Sequence, residues 1–77
     1  MAVPIGPSGI KSLKIGDTVR YIKGQSKFKV AALVTLINKI NKQRVKIRIN
    51  SFLEKGEKVT IKVGDQINVS SWNIYPE

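Results

Sequence analysis

The stretch "RVKIRIN", residues 44–50, decides the fold class of this 77-residue chain. Its side chains alternate strictly between apolar and polar. The apolar members are Val45, Ile47 and Ile49, and the basic members are Arg44, Lys46 and Arg48. Successive side chains of a β-strand point to opposite faces, so this pattern is typical of a strand with one buried and one solvated face. We therefore predict a strand here, with a row of cations on its outer side.

The residues that follow repeat this alternation after a predicted loop, "SFLEKGE" (51–57). In "KVTIKV", residues 58–63, three apolar side chains alternate with polar ones, which predicts another strand. The pair Gly64-Asp65 comes next and precedes "INV". Because Gly tolerates a positive φ and Asp accepts backbone N–H bonds, we predict a two-residue hairpin turn of type II′ at this pair.

The same Gly-Asp pair occurs earlier in the chain, in a matching decamer. "SLKIGDTVRY" (12–21) and "TIKVGDQINV" (60–69) share the same order of apolar and polar residues. Repeat folds need at least three stacked units, so two decamers predict shared turn chemistry rather than an internal repeat. Val19 and Tyr21 alternate with polar residues after the first pair, which indicates a half-buried strand.

The segment "KFKVAALVTLINKI", residues 27–40, fits two structures. As a helix, it places Val30, Leu33, Val34 and Ile37 on one stripe, with Ser26 as a possible N-cap. As a strand, it is apolar on both faces, which requires burial on two sides or a bend at a barrel corner. Periodicity alone leaves these two predictions about even.

Composition narrows the possible functions. The chain has neither cysteine nor histidine, and its five acidic residues are scattered. Catalysis, a metal site and a bound cofactor are therefore not expected, and neither is a small-molecule substrate. Fourteen Lys and Arg residues give a net charge of +9, a field that attracts polyanions.

The chain divides into two parts. Residues 1–11 begin with two prolines and two glycines among the first ten, and we predict that they form a flexible N-terminal tail. Residues 12–77 form one domain, whose four or five short strands and closely spaced turns predict a small closed barrel. A signal peptide and an apolar run of membrane-spanning length are both missing, so we expect a cytoplasmic protein without membrane contact.

The stretch "GDTVRYIKGQSKFKVAAL", residues 16–33, resembles the KOW motif of SH3-like barrels. The motif has the form Gly-Asp-x-Val-x-Val-Ile-x-Gly-x-x-Lys-Gly-Lys-x-Gly-x-Val. The matching residues are Gly16, Asp17, Val19, Ile22, Gly24, Lys27 and Lys29, with Tyr21 and Leu33 as apolar equivalents. Phe28 and Ala31 replace two glycines of the motif. The resemblance implies a strand over residues 28–37, an all-β, SH3-like barrel of about five short antiparallel strands, and binding to RNA or protein.

Two groups of residues are candidates for binding. The first is the row Arg44, Lys46 and Arg48, whose members are spaced about 7 Å apart on a strand, similar to phosphates along a nucleic acid. Lys58 and Lys62 are predicted to extend this row on a neighbouring strand. The alternative is a solvated sheet face whose lysines discourage edge pairing.

The second group lies in the loop "KGQSKFK", where Lys23, Lys27 and Lys29 surround Phe28. An exposed ring among lysines can stack on a base while the lysines hold phosphates. The alternative, a phenylalanine that caps the mouth of the barrel, is the favoured interpretation. For Trp72, closure of the core is favoured over an interface.

The sequence thus predicts a non-catalytic basic binding module. The favoured partner is nucleic acid, with RNA ahead of DNA because of the resemblance. The alternative is a protein-docking accessory subunit that uses the same basic face against an acidic protein surface.

Overall fold

A computed structural model describes residues 3–41 and 43–76 of the chain. Five antiparallel strands dominate it. Their bounds are Thr18–Lys23 (β1), Val30–Lys39 (β2), Arg44–Lys55 (β3), Gln66–Ser70 (β4) and Ile74–Tyr75 (β5). One short helix, Gly6–Ile10 (α1), and two single 3₁₀ turns, Ser26–Phe28 and Ser71–Asn73, complete the described structure.

The strands form one sheet in the order β4-β3-β2-β1-β5. This confirms the prediction of a small all-β domain of about five short antiparallel strands. In the described part of the chain β4 pairs only with β3, and β5 pairs only with β1. The prediction of a closed barrel is therefore wrong, since the described sheet is open between β4 and β5.

The segment that fits both helix and strand is the central strand β2, so the strand prediction is confirmed. One face carries Val30, Ala32, Val34 and Leu36, all buried in the core. β2 pairs with β1 on one edge and with β3 on the other, and three register shifts interrupt its pairing with β3. Such irregularities bend a strand. The opposite face carries Leu33 and Ile37, which are half-buried.

Strand β3 contains the alternating stretch 44–50. Val45, Ile47 and Ile49 are buried in the core, as predicted. The strand is longer than predicted, since it continues through residues 51–55 by pairing with the first half of β2.

The strand predicted over residues 58–63 is wrong. These residues form no strand, and Val63 is 61% exposed. Val59 and Ile61 still pack against the core from an irregular segment. The apolar alternation of residues 58–63 therefore reflects contacts with the core and not pairing within the sheet.

The two Gly-Asp turns share one geometry, which confirms the prediction of shared turn chemistry. Gly16 has φ 95° and Gly64 has φ 92°. In each turn the aspartate side chain accepts a 2.9 Å hydrogen bond from the backbone N–H three residues earlier. In each, the aspartate N–H also donates to the carbonyl of that same residue, at 3.0 Å. The positive φ is at the third turn position, so the turns are type II and the type II′ prediction is wrong.

Part of the predicted N-terminal tail packs against the sheet. The N–H of Ile5 donates to the carbonyl of Ile74 at 2.7 Å, and Ile10 in α1 is buried in the core. These two apolar side chains provide the contacts that hold residues 5–10 in place. Within the described ranges, no helix has the length and apolar character needed to cross a membrane.

Candidate nucleic-acid interface

Arg44, Lys46 and Arg48, which we call the basic ladder, lie along the outer face of the first half of β3. Both arginines are exposed and the lysine is half-buried. The residues between them, Val45 and Ile47, are buried in the core. Because those buried neighbours fix the strand, the spacing of the three cations is set by the backbone, at about 7 Å between successive members.

The neighbouring strand β4 places neutral polar residues beside the ladder. The cross-strand pairs are Arg44 with Ser70, Lys46 with Asn68 and Arg48 with Gln66. Directly opposite residues of an antiparallel pair have Cβ atoms about 5 Å apart on the same face. One flank of the ladder is therefore a row of amides and one hydroxyl.

The other flank is formed by the second half of β2. Asn38 pairs with Lys46, and Thr35 pairs with Arg48. Asn50, further along β3, donates from Nδ2 to the Thr35 hydroxyl at 2.7 Å. The ladder thus runs between two borders of uncharged polar side chains.

Carboxylates contact other lysines than those of the ladder. In the part of the chain that the structure describes, the ion pairs are Lys27 with Glu57 at 3.6 Å and Lys29 with Glu54 at 3.1 Å. Asp17 and Asp65 accept backbone N–H bonds in the Gly-Asp turns. Among the described residues, the ladder cations therefore have no carboxylate in salt-bridge contact.

Residues 23–29, which we call the basic loop, pack against the end of β3. The N–H of Gly56 donates to the carbonyl of Lys29 at 2.7 Å, and the N–H of Lys58 donates to that of Lys27 at 2.9 Å. Gly56 is required by this contact, since a Cβ there would overlap the Lys27 carbonyl oxygen. The segment that anchors the loop also brings the two glutamates to its lysines.

Phe28 is at the tip of the basic loop, with 66% of its surface exposed. The prediction that it caps the barrel mouth is therefore wrong. Gly24 (φ 76°) and Ser26 (φ 56°) both adopt left-handed backbone conformations, which turn the chain so that the ring faces solvent. This places an accessible aromatic face among lysines.

Lys58 and Lys62 do not extend the ladder on a neighbouring strand, because residues 58–63 form no strand. The backbone of Lys58 is bonded to the basic loop, and Lys62 belongs to the second Gly-Asp turn. Lys23 ends β1, opposite the start of β2. Arg48 is seven positions along β3, about 23 Å of extended strand, from Lys55 at the end that the loop covers.

The sequence analysis missed the neutral borders of the ladder. Gln66 and Asn68 are more than 15 residues away from it in sequence, and only the register of β4 against β3 brings them beside it. The expectation that Trp72 closes the core is wrong, since it is 58% exposed. Its ring lies against α1, where a Cβ at Gly6 would be 3.0 Å from the Trp72 ring.

Comparison of the chain with protein-family models, with curated proteins and with solved structures gave no match. Within residues 3–41 and 43–76, no group of three acidic side chains is placed to hold a metal ion. The geometry and charge of the two basic regions are therefore the features of the described structure that bear on function.

Proposed function

We propose that this protein is a non-catalytic module that binds single-stranded nucleic acid, RNA in preference to DNA, through the basic ladder. The observation that carries the proposal is the arrangement of Arg44, Lys46 and Arg48. These three cations are evenly spaced on a rigid strand, and none is in salt-bridge contact with a described carboxylate. The proposal places this activity in the cytoplasm.

The ladder suits a phosphate backbone in spacing and in chemistry. A strand of nucleic acid that runs along β3 presents phosphates at intervals close to the 7 Å between ladder cations. The arginine guanidinium groups offer paired donors that match phosphate oxygens, while the lysine acts as a point charge. The net charge of +9 adds attraction at longer range.

The neutral borders favour RNA. Gln66, Asn68 and Asn38 have side-chain amides that both donate and accept hydrogen bonds. A backbone held on the ladder directs its sugars and bases over these borders, where a ribose 2′-hydroxyl offers a donor and an acceptor that DNA lacks. The borders therefore support a preference for RNA without requiring a particular base sequence.

The basic loop provides a second, weaker contact. Lys27 and Lys29 are already engaged by Glu57 and Glu54, which lowers their attraction for phosphate. Phe28 remains available as a stacking surface for one base. In this proposal the ladder supplies most of the affinity and the loop a smaller part.

We also propose that the chain is a relative of the KOW-like, SH3-like domains. The support comes from where the motif residues lie. Gly16 and Asp17 form the turn that enters β1, Gly24 has the positive φ that favours glycine, and Leu33 is in β2. A 3₁₀ turn also separates β4 from β5, and β5 returns to pair with β1.

The test is a binding titration by fluorescence anisotropy, with a single-stranded RNA of about 12 nucleotides, DNA of the same sequence, and poly-glutamate of equal charge. We expect RNA to bind most tightly. Three phosphate contacts at about −0.7 each give a log–log salt slope of about −2. Equal affinity for poly-glutamate and RNA would favour the alternative, docking against an acidic protein surface. Absence of RNA binding at low salt would overturn the proposal.

A further inference from the structure

The outer edge of β4 has no strand paired with it in the described part of the chain. β4 is the last strand of the sheet and pairs with β3 alone. The N–H of Ser71, just after β4, donates to the Gln43 carbonyl at 2.7 Å. Backbone groups alternate in direction along a strand, so residues 67 and 69 also face β3. The N–H and C=O groups of Gln66, Asn68 and Ser70 therefore point away from the sheet.

This edge lacks the features that usually protect an edge strand. Residues 66–76, "QINVSSWNIYP", contain no charged residue, although a quarter of the chain is charged. β4 itself has no proline, and its pairing with β3 has no register shift. Natural edge strands are commonly blocked by lysine, proline or a bulge, because free backbone groups recruit other strands.

We propose that β4 pairs antiparallel with β4 of a second copy of this chain, about a twofold axis that passes through Asn68. In this register Asn68 faces Asn68 of the other copy, Gln66 faces Ser70, and Ile67 faces Val69. The three pairs whose backbone groups point outward, 66 with 70, 68 with 68 and 70 with 66, exchange six backbone hydrogen bonds. Across the two copies, amide side chains lie opposite amides or hydroxyls, and apolar side chains lie opposite apolar ones. Like charges do not lie opposite each other.

The charges of the chain favour a second copy over an acidic peptide as the occupant of this edge. An acidic peptide would be attracted to the lysines and arginines on other parts of the domain. The β4 edge is uncharged and is complementary to the same edge of a second copy. The ladders of the two copies would be three strand spacings apart, about 14 Å. That distance exceeds the Debye length of about 8 Å at physiological salt, so repulsion between the ladders is largely screened.

The dimer does not depend on nucleic acid, and its test is separate from that of the proposed function. Five-residue pairing gives a small interface, so we expect a weak dimer that forms with rising concentration. Sedimentation velocity without nucleic acid, from about 10 µM to about 1 mM, should show monomer passing to dimer.

Substitutions at Asn68 test the twofold register. Asn68→Lys and Asn68→Glu each place like charges opposite each other across the axis, so each variant alone should stay monomeric. An equimolar mixture of the two should dimerise again, because lysine then faces glutamate. Thr60→Lys and Thr60→Glu are matched controls, since Thr60 is exposed, lies outside the strands and gives the same net charges. Both controls should dimerise like the wild type.

Several results would overturn the proposal. These are a wild type that remains monomeric throughout, a dimer that both Asn68 variants retain, a mixture that stays monomeric, or an assembly larger than a dimer. Thermal melting of each variant, followed by circular dichroism, should establish that a monomeric variant is folded. The Asn68 side chain is exposed, so its replacement leaves the backbone pairing of β4 with β3 intact.

Discussion

The basic ladder and the basic loop each contain three basic residues, but their surroundings differ. The ladder lies on a strand whose opposite face is core, and its cross-strand neighbours are neutral. The loop is anchored by residues 54–58, and that anchor carries the glutamates that pair with Lys27 and Lys29. We therefore expect the strands and loops packed beside each stretch, rather than its local charge count, to determine which stretch attracts a polyanion.

Removing the core beneath the ladder should have the largest effect. Ile47 is fully buried between two ladder residues, and Ile47→Ala should lower the free energy of unfolding by about 2–5 kcal/mol. Ile61→Ala is the matched control, since Ile61 is only partly buried and lies outside the strands. Urea denaturation should show a clearly smaller loss for it. Equal losses would contradict the claim that the buried neighbours of the ladder fix its strand.

Disturbing the anchor of the loop should have an intermediate effect. A Cβ at Gly56 overlaps the Lys27 carbonyl oxygen, so Gly56→Ala should cost about 1–3 kcal/mol of stability. RNA affinity measured well below the melting temperature should change little, because the ladder does not contact this residue. Gly64→Ala is a useful comparison, since that site has open space and only a strained φ. A large fall in RNA affinity for folded Gly56→Ala would show that the loop carries the binding.

Neutralising the glutamates should have the smallest effect and should make the loop resemble the ladder. In the double variant Glu54→Gln, Glu57→Gln, the partners of Lys29 and Lys27 lose their charge. Exposed ion pairs contribute only about 0–1 kcal/mol, so the melting temperature should barely change. RNA affinity should rise, and the salt slope should steepen by up to about 1.4 if both lysines reach phosphates. An unchanged slope would mean that the loop does not touch RNA.

The sequence was sufficient to predict the structure where one face of an element is buried. The alternation around Ile47 predicted β3 and the outward position of the ladder, because burial of one face fixes the register. The Gly-Asp turns were also predictable in chemistry, since a positive φ and a backbone-capping carboxylate are local properties. The turn type was not predictable, because it depends on which turn position the glycine occupies relative to the neighbouring strand.

The sequence was insufficient to predict the structure where pairing between segments far apart in the sequence decides it. Alternation at Val59, Ile61 and Val63 resembled a strand, yet no neighbouring strand pairs with it. The neutral borders and the loop glutamates became visible only from the register of β4 and from the contact between Gly56 and Lys29. Trp72 was expected to close the core because the domain is small, and Phe28 was expected to cap the barrel mouth, but both lie largely on the surface.

The most direct test compares charge reversal in the two basic regions. Lys46→Glu with Arg48→Glu reverses two ladder residues, and Lys27→Glu with Lys29→Glu reverses two loop residues. Each pair lowers the net charge of +9 by four, so long-range attraction falls equally in both. Thermal melts by circular dichroism should first establish that both variants are folded. RNA is then titrated into each variant over a range of salt concentrations.

We expect the ladder variant to lose most of its RNA affinity and its salt slope to flatten from about −2 to about −0.7, since one ladder contact remains. The loop variant should keep a slope close to that of the wild type. Equal weakening of both variants would mean that only net charge attracts RNA, and that result would contradict the assignment of the interface to the ladder.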